Sequence, residues 1–163
     1  MALLDNIVAA VAAGAGWRPP RRDEDGAYRF RLENGLDFAI FSPDDRTAVL
    51  RAEVADVPAS GPAREEMLRG AAKRQAGVCR VRASVAALEQ PGQSLLKTPP
   101  ASGDKLILYR MVELAAGQEV FGAAARDFLN DLAWWKASSG GGAERGGERA
   151  FFGMTGMFSG GMY

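Results

Sequence analysis

Apolar residues recur with two different spacings in the first third of the chain. Across Ala2–Ala13 they lie three and four residues apart, which predicts an amphipathic helix that stops at Gly14 and Gly16. Across Tyr28–Leu32, and again across Leu36–Ile40, large apolar residues alternate with polar ones. This period of two predicts two strands, each with one buried face.

Turn signals between these strands predict an antiparallel meander. Asn34-Gly35 lies between the first two strands, and this pair tolerates the positive φ angles of a tight hairpin turn. The next turn spans Ser42–Asp45, and its two adjacent acids are interpreted as turn residues rather than as a catalytic carboxylate pair. A third strand is expected over about Thr47–Val54.

The second half of the chain predicts two helices and one or two further strands. A helix is expected to begin at about Pro62 and to run to about Arg82. The segment Ser84–Glu89 fits helical and strand spacing almost equally well. A strand buried on both faces is expected over Lys105–Glu113, and a final helix over about Gln118–Ala137. The chain is therefore expected to be α+β, with helices packed on an antiparallel sheet in the order α-β-β-β-α-(β)-β-α.

Glycine content divides the chain into a domain and a tail. Nine of the 20 glycines lie between Ser138 and Tyr163, so residues 1–137 are expected to form the folded domain and 138–163 a flexible tail. The tail also carries large apolar side chains, and it either packs back on the domain or acts as a short linear motif for a partner. These side chains are Phe151, Phe152, Met154, Met157, Phe158, Met162 and Tyr163.

Composition excludes several classes of function. The chain has no histidine, one cysteine, and 20 basic against 20 acidic residues. No His-dependent catalytic site or multi-cysteine zinc site is therefore expected, and no catalytic residue, metal or cofactor is predicted. Cys79 lies on an apolar stripe and is interpreted as a buried, inert thiol. Without a long apolar run or a basic leader, a cytoplasmic protein with no membrane insertion is expected.

The middle helix is more basic than the rest of the chain. Six basic and two acidic residues lie between Arg64 and Arg82, and Arg69, Lys73 and Arg80 share one face. Such a face is most often plain solvated surface, and nucleic acid is not expected as a partner. Binding to nucleic acid or another anionic surface remains the alternative function.

The first third of the sequence resembles a known family. The segment LLDNIVAAVAA, a basic Pro-containing connector and DEDGAYRFRLENGLDFAIFSPDDRTAVLRAEVADVP resemble class I chaperones of bacterial type III secretion, which have the Tir-chaperone (CesT-like) fold. The greatest likeness is to the YscB-like subunit of gatekeeper chaperones. It extends over about residues 3–137 and implies that Ser84–Glu89 is the fourth strand. The long segment 90–104, the neutral net charge and the C-terminal tail depart from the family pattern.

The resemblance implies a non-enzymatic chaperone that dimerises with itself or a related subunit. Such a chaperone binds the unfolded N-terminal segment of a secreted effector or gatekeeper and keeps it soluble and export-competent, until a secretion ATPase releases it. The client-binding residues expected under this resemblance, which otherwise belong to the core, are Leu3, Ile7, Val11, Phe38, Ile40 and Leu50. The dimer interface expected on the middle helix comprises Leu68, Ala72, Gln75 and Cys79.

Overall fold

The computed structural model describes residues 2–18, 20–93 and 103–139. Three helices and five strands form in the predicted order. They are α1 (Ala2–Gly14), β1 (Tyr28–Arg31), β2 (Asp37–Phe41), β3 (Thr47–Asp56), α2 (Pro62–Val78), β4 (Val85–Glu89), β5 (Lys105–Glu113) and α3 (Gly117–Ser139), with a short 3-10 turn (Leu114–Ala116) before α3. The α+β class is confirmed.

The five strands form one antiparallel sheet in the order β1-β2-β3-β5-β4. The predicted meander is confirmed, since β1 pairs with β2 and β2 with β3. Strand β5 pairs along nearly the whole of β3, and β4 then adds to the other side of β5. Strands β1 and β4 are therefore the two edges of the sheet.

The turns form as their residue types predict. The Asn34 side-chain oxygen accepts a hydrogen bond from the backbone N–H of Leu36 at 3.2 Å, and Gly35 has a positive φ of 78°. One carboxylate oxygen of Asp44 accepts hydrogen bonds from the N–H groups of Arg46 and Thr47, at 3.0 and 2.7 Å. Asp44 thus closes the β2–β3 turn, which confirms its interpretation as a turn residue.

One face of the sheet is covered by helices and forms the main core. Helices α1 and α3 pack on this face and bury their apolar stripes against β1, β2, β3 and β5. The rings of Phe30 and Phe38 stack there with centroids 4.9 Å apart. The largest fully buried side chains include Leu4, Ile40, Leu50, Phe121, Phe128 and Trp135.

Helix α1 is joined to β1 by a buried hydrogen bond. The hydroxyl of Tyr28 donates to the carboxylate of Asp5 at 2.5 Å, and Arg22 lies 3.6 Å from the same oxygen. Burial, together with the hydrogen bond to the Asp5 carboxylate, raises the pKa of Tyr28 to about 12. The neutral phenol therefore fixes the start of the chain to the sheet.

The segment Ser84–Glu89 contains strand β4, as the family resemblance implies. Three other expectations from the sequence need correction. The middle helix ends at Val78 and not at Arg82, since the chain turns there and the N–H groups of Val81 and Arg82 both donate to the Val78 carbonyl. Strand β5 is not buried on both faces along its whole length, since Met111 is 60% exposed. Helix α3 extends to Ser139, and the rest of the predicted tail, 140–163, lies outside the described residues.

Candidate functional site

Helix α2 is the least buried element of the fold. None of its residues, all of which the structure describes, is buried. Its half-buried side chains Met67, Leu68 and Ala71 rest against the edge of the main core. The remaining faces of the helix are available to other molecules.

Two arginines attach α2 to the last turns of α3. Arg82 forms an ion pair with buried Asp131 at 2.5 Å, and its guanidinium lies 4.8 Å from the ring centre of Trp134. Arg74 donates to the backbone carbonyl of Ser138 at 3.1 Å. These contacts fix the end of α3 beside α2.

One side chain of α2 reaches the outer edge of the sheet. The side-chain oxygen of Gln75 accepts a hydrogen bond from the backbone N–H of Ala86 at 2.8 Å. Because N–H groups alternate in direction along a strand, the N–H of Leu88 also points away from β5. Helix α2 thus covers one position of the β4 edge.

Helix α2, the turn after it and strand β4 together carry four exposed residues of mostly apolar character. We name them the α2–β4 surface; they are Ala72, Cys79, Val81 and Leu88. Val81 is 81% and Leu88 36% exposed, and Ala72 and Cys79 are also exposed. The interpretation of Cys79 as a buried thiol is therefore wrong. Its Sγ donates to the carbonyl of Ala76 at 3.3 Å from the end of the helix.

The four residues predicted for a dimer interface divide into two pairs. Leu68 packs against the core and Gln75 is bonded to Ala86, so both support the helix in place. Ala72 and Cys79 are exposed and belong to the α2–β4 surface. Their role in a dimer stays a prediction.

Four of the six residues predicted to contact a client lie in the main core. They are Ile7, Phe38, Ile40 and Leu50. Ile7 packs from α1, and the other three lie on the sheet face that α1 and α3 cover; of the four, Phe38 also lines a surface cavity with Arg29, Asp37 and Lys136. Leu3 is 49% exposed, whereas Val11 is half-buried and packs against the main core on the inner side of α1.

The opposite face of the sheet carries an apolar surface that the sequence reasoning missed. We name it the open sheet face and define it by Phe41, Val49, Val85, Tyr109 and Met111. Val49 pairs with Met111 and Val85 with Tyr109, which places all five on the same face. The small buried cluster of this face draws none of its described members from a helix.

Exposure on the open sheet face is greatest on β5 and β4. Phe41 and Val49 are buried, Tyr109 is half-buried, Val85 is 38% exposed and Met111 is 60% exposed. The sequence signal for this face is the run KLILYRMVE, in which apolar residues occupy both the odd and the even positions and therefore both faces of the strand. Solvent-exposed apolar residues on a sheet face indicate a contact surface for another chain.

A charged cluster borders the open sheet face. The guanidinium of Arg51 pairs with Glu89 across β5, with Nε 3.1 Å from one carboxylate oxygen, and both side chains are nearly buried. Lys105 pairs with Asp56 at the same end of the sheet, and this hydrogen bond raises the pKa of Lys105. Within each pair the two charges neutralise each other, and the two pairs form the border of the apolar surface on that side.

The basic face of α2 is exposed and not neutralised. Among the described residues, Arg69, Lys73 and Arg80 take part in no ion pair, whereas Arg74 and Arg82 are engaged with α3. The α2–β4 surface is therefore flanked by three free cations.

Metal-ligating side chains do not cluster in the described part of the chain. No group of three or more such side chains occurs within 2–18, 20–93 and 103–139. No described helix is both long enough and apolar enough to cross a membrane.

Comparisons with known proteins identify the fold. No family model matches the chain, and no curated protein matches it significantly. A chain of the ExsC–ExsE complex matches with a TM-score of 0.58 and 18% identity, covering 82% of this chain and 91% of that chain. A chain of the complex between the Yersinia pestis type III secretion chaperone SycH and a stable fragment of YscM2 matches at 0.53 and 10%, covering 82% and 97%. A chain of the HopA1–SchA chaperone–effector complex matches at 0.54 and 11%, covering 83% and 94%.

These three likenesses cover more than nine-tenths of each solved chain. At 10–18% identity they establish a shared fold, the five-stranded antiparallel sheet with its three helices.

Proposed function

We propose that the chain is a type III secretion chaperone that dimerises and binds the unfolded N-terminal segment of a secreted effector or gatekeeper. The observation that carries this proposal is the match, over nearly their whole length, to chains from two complexes described as chaperone complexes. The proposed location is the cytoplasm, with release of the client by the secretion ATPase.

The open sheet face is the proposed docking surface for the client. Met111 and Val85 expose apolar side chains there, and Tyr109 lies between them with its ring partly exposed. An unfolded client can place alternate apolar side chains on such a face while the rest of its backbone stays solvated. Leu3, exposed on α1 at the other side of the sheet, is a separate proposed contact for the client.

The sheet edges favour docking on the face over strand addition. At β4 the N–H of Ala86 is occupied by Gln75. At β1 the preceding connector forms its own bridge, Arg22 with Tyr28. Edges that are covered in this way resist pairing with another strand. Side-chain contacts are therefore expected to contribute more than backbone hydrogen bonds to client affinity.

The α2–β4 surface is the proposed dimer interface. It combines exposed apolar residues with a helix that contributes nothing fully buried to its own domain. A two-fold contact places the same surface of two copies against each other, so each apolar residue on it is buried in both copies. A related chaperone subunit with a similar surface is the alternative partner.

Co-purification tests the proposed function. The full chain is co-expressed with N-terminal segments of type III secreted proteins encoded near it, and complexes are sized by light scattering. The expected result is a stable complex containing two chaperone chains and one client segment. A chain that binds none of these segments and elutes alone contradicts the proposal.

One observation supports a second candidate function. The exposed cations Arg69, Lys73 and Arg80 form no ion pair among the described residues, as in a face that contacts phosphates. Binding of this kind weakens steeply as salt rises, because it depends on the release of counterions. A salt titration with single-stranded nucleic acid separates the two functions, since apolar client binding lacks that steep dependence.

A further inference from the structure

The end of helix α3 lies beside helix α2. Arg74 holds the carbonyl of Ser138, one residue before α3 ends. The adjacent residue of α2, Gln75, is bonded to Ala86 of the edge strand. Helix α3 therefore ends beside the helix that carries part of the α2–β4 surface.

The charges around the α2–β4 surface oppose its direct association with the same surface of a second copy. The surface exposes Val81 and Leu88, but Arg69 and Lys73 lie on α2 and Arg80 lies in the turn that follows it. Two copies facing each other would bring together six cations that form no ion pair among the described residues, and like charges placed opposite each other across an interface oppose association. An uncharged apolar occupant meets no such repulsion.

The end of the sequence supplies such an occupant. Residues 150–163, AFFGMTGMFSGGMY, contain no charged side chain and seven large apolar ones. The intervening residues 140–150 have a root-mean-square span of about 18 Å if they behave as a Gly-rich chain. Cys79, which belongs to the surface, lies five residues beyond Arg74, or about 8 Å along a helix axis. The segment is therefore long enough to reach the surface, and a short tether of this kind gives an effective concentration of about 1 mM.

We propose that the segment Phe151–Phe158 of this chain binds the α2–β4 surface of the same molecule and is displaced when the surface pairs with a second copy. The docking follows from the position at which α3 ends and from the chemistry of the two surfaces. The competition with a second copy, unlike the docking, rests on the proposed dimer. The tail thus covers an exposed apolar edge in the unassembled chain and sets the concentration at which dimers form.

A nitroxide at Cys79 tests the docking in the full-length chain. Cys79 is the one cysteine of the sequence and is exposed, so labelling is specific. Met154 and Met157 carry isotope-labelled methyl groups, and their paramagnetic broadening is measured at a concentration at which the chain is monomeric. The proposal predicts strong broadening of both methyl signals. It also predicts that mixing nitroxide-labelled chains with isotope-labelled, nitroxide-free chains gives none.

Three variants serve as controls. A nitroxide at Glu33→Cys in a Cys79→Ser background lies in the exposed β1–β2 turn and is expected to leave the methionine signals sharp. Phe151→Ser with Phe152→Ser is expected to abolish the broadening by Cys79, whereas Met162→Ser with Tyr163→Ser, outside the proposed segment, retains it. All tail substitutions lie outside the described residues.

The competition has a separate readout. If the tail occupies the surface about nine-tenths of the time, removing its anchors tightens dimerisation about a hundredfold, because each of the two copies must expose its surface and the competent fraction rises about tenfold on both. Phe151→Ser with Phe152→Ser should therefore lower the dimer dissociation constant about a hundredfold, and Met162→Ser with Tyr163→Ser should leave it unchanged.

Each outcome is decisive. Sharp methionine signals with the Cys79 label, or equal broadening from position 33, overturn the docking. Broadening only in mixed samples shows that the tail binds a neighbouring copy, which also overturns it. Broadening without a change in dimerisation overturns the competition alone. These experiments contain no client, so their failure is distinguishable from a failure of the proposed function, which client binding tests separately.

Discussion

The side-chain oxygen of Gln75 accepts a hydrogen bond from the backbone N–H of Ala86 at 2.8 Å, so helix α2 protects the outer edge of strand β4. This contact joins an element with no buried residue to an edge that would otherwise present unpaired backbone groups. The position of α2, and with it the α2–β4 surface, depends on this bond and on the arginine contacts to α3.

Gln75→Ala is expected to destabilise the fold modestly and the β4 edge specifically. Loss of the acceptor leaves the Ala86 N–H to water, and the free energy of unfolding falls by about 1 kcal/mol. Hydrogen exchange at the Ala86 amide is expected to accelerate. Gln118→Ala on α3, an exposed position, should change neither quantity by more than about 0.5 kcal/mol. Unchanged exchange at Ala86 would refute the protective role of α2.

Asp131→Asn is expected to loosen α2 from α3. The Asp131 side chain is almost fully buried and pairs with Arg82 at 2.5 Å, so the substitution leaves a partly buried guanidinium without its counter-ion. The free energy of unfolding, measured in urea, should fall by about 2 kcal/mol. Asp127→Asn, which removes an exposed partner of Arg110 at 3.4 Å, should cost less than about 0.5 kcal/mol. Equal losses for the two variants would contradict a special role for Arg82.

Stability at alkaline pH reports on the contact between Tyr28 and Asp5. The pKa of Tyr28 rises from 10.0 to about 12 on folding. The neutral phenol therefore contributes stability that is fully present below pH 10 and is lost as the pH rises through 12. The difference in unfolding free energy between the wild type and Tyr28→Phe should be constant below pH 10. It should shrink by roughly 2–3 kcal/mol by pH 12. A difference that stays constant up to pH 12 would show that the phenol titrates normally.

Dimer formation is expected to strengthen with salt. Raising the salt from about 0.1 M to 1 M shortens the Debye length from about 10 Å to about 3 Å, which screens the repulsion among Arg69, Lys73 and Arg80 of two copies. Sedimentation should show a lower dissociation constant at high salt. Replacing all three residues with glutamine should remove this dependence. Binding to nucleic acid has the opposite sign, since it weakens as salt rises.

Local patterns in the sequence predict most of the elements. The alternation across Tyr28–Leu32 and the Asn34-Gly35 turn depend on neighbouring residues alone, and the β1–β2 hairpin forms as they predict. The segment Ser84–Glu89 fits both periods because it is short, and pairing of Val85–Glu89 with β5 decides the outcome. The end of α2 is not predicted, because the apolar spacing continues past Val78 although the chain turns there.

The candidate site was harder to predict than the fold. Alternation shows that Phe38 and Ile40 share a face, but not whether that face is covered by helices. The packing of α1 and α3 assigns them to the core and leaves Tyr109 and Met111 on the open sheet face. The tertiary packing of the helices decides which face of the sheet is uncovered, and no single segment of the sequence carries that information.

The most direct test of the proposed function is client binding by a matched pair of surface variants. Met111→Asp places a charge at the most exposed position of the open sheet face, and Val120→Asp places the same charge at an exposed position of α3. Calorimetric titration of the full chain with the N-terminal segment of its client is expected to show at least about a tenfold loss of affinity for Met111→Asp, which corresponds to about 1.4 kcal/mol. Val120→Asp should bind as the wild type does. Equal affinity for all three proteins, or no binding by the wild type, would contradict the proposal that this face receives a secreted client.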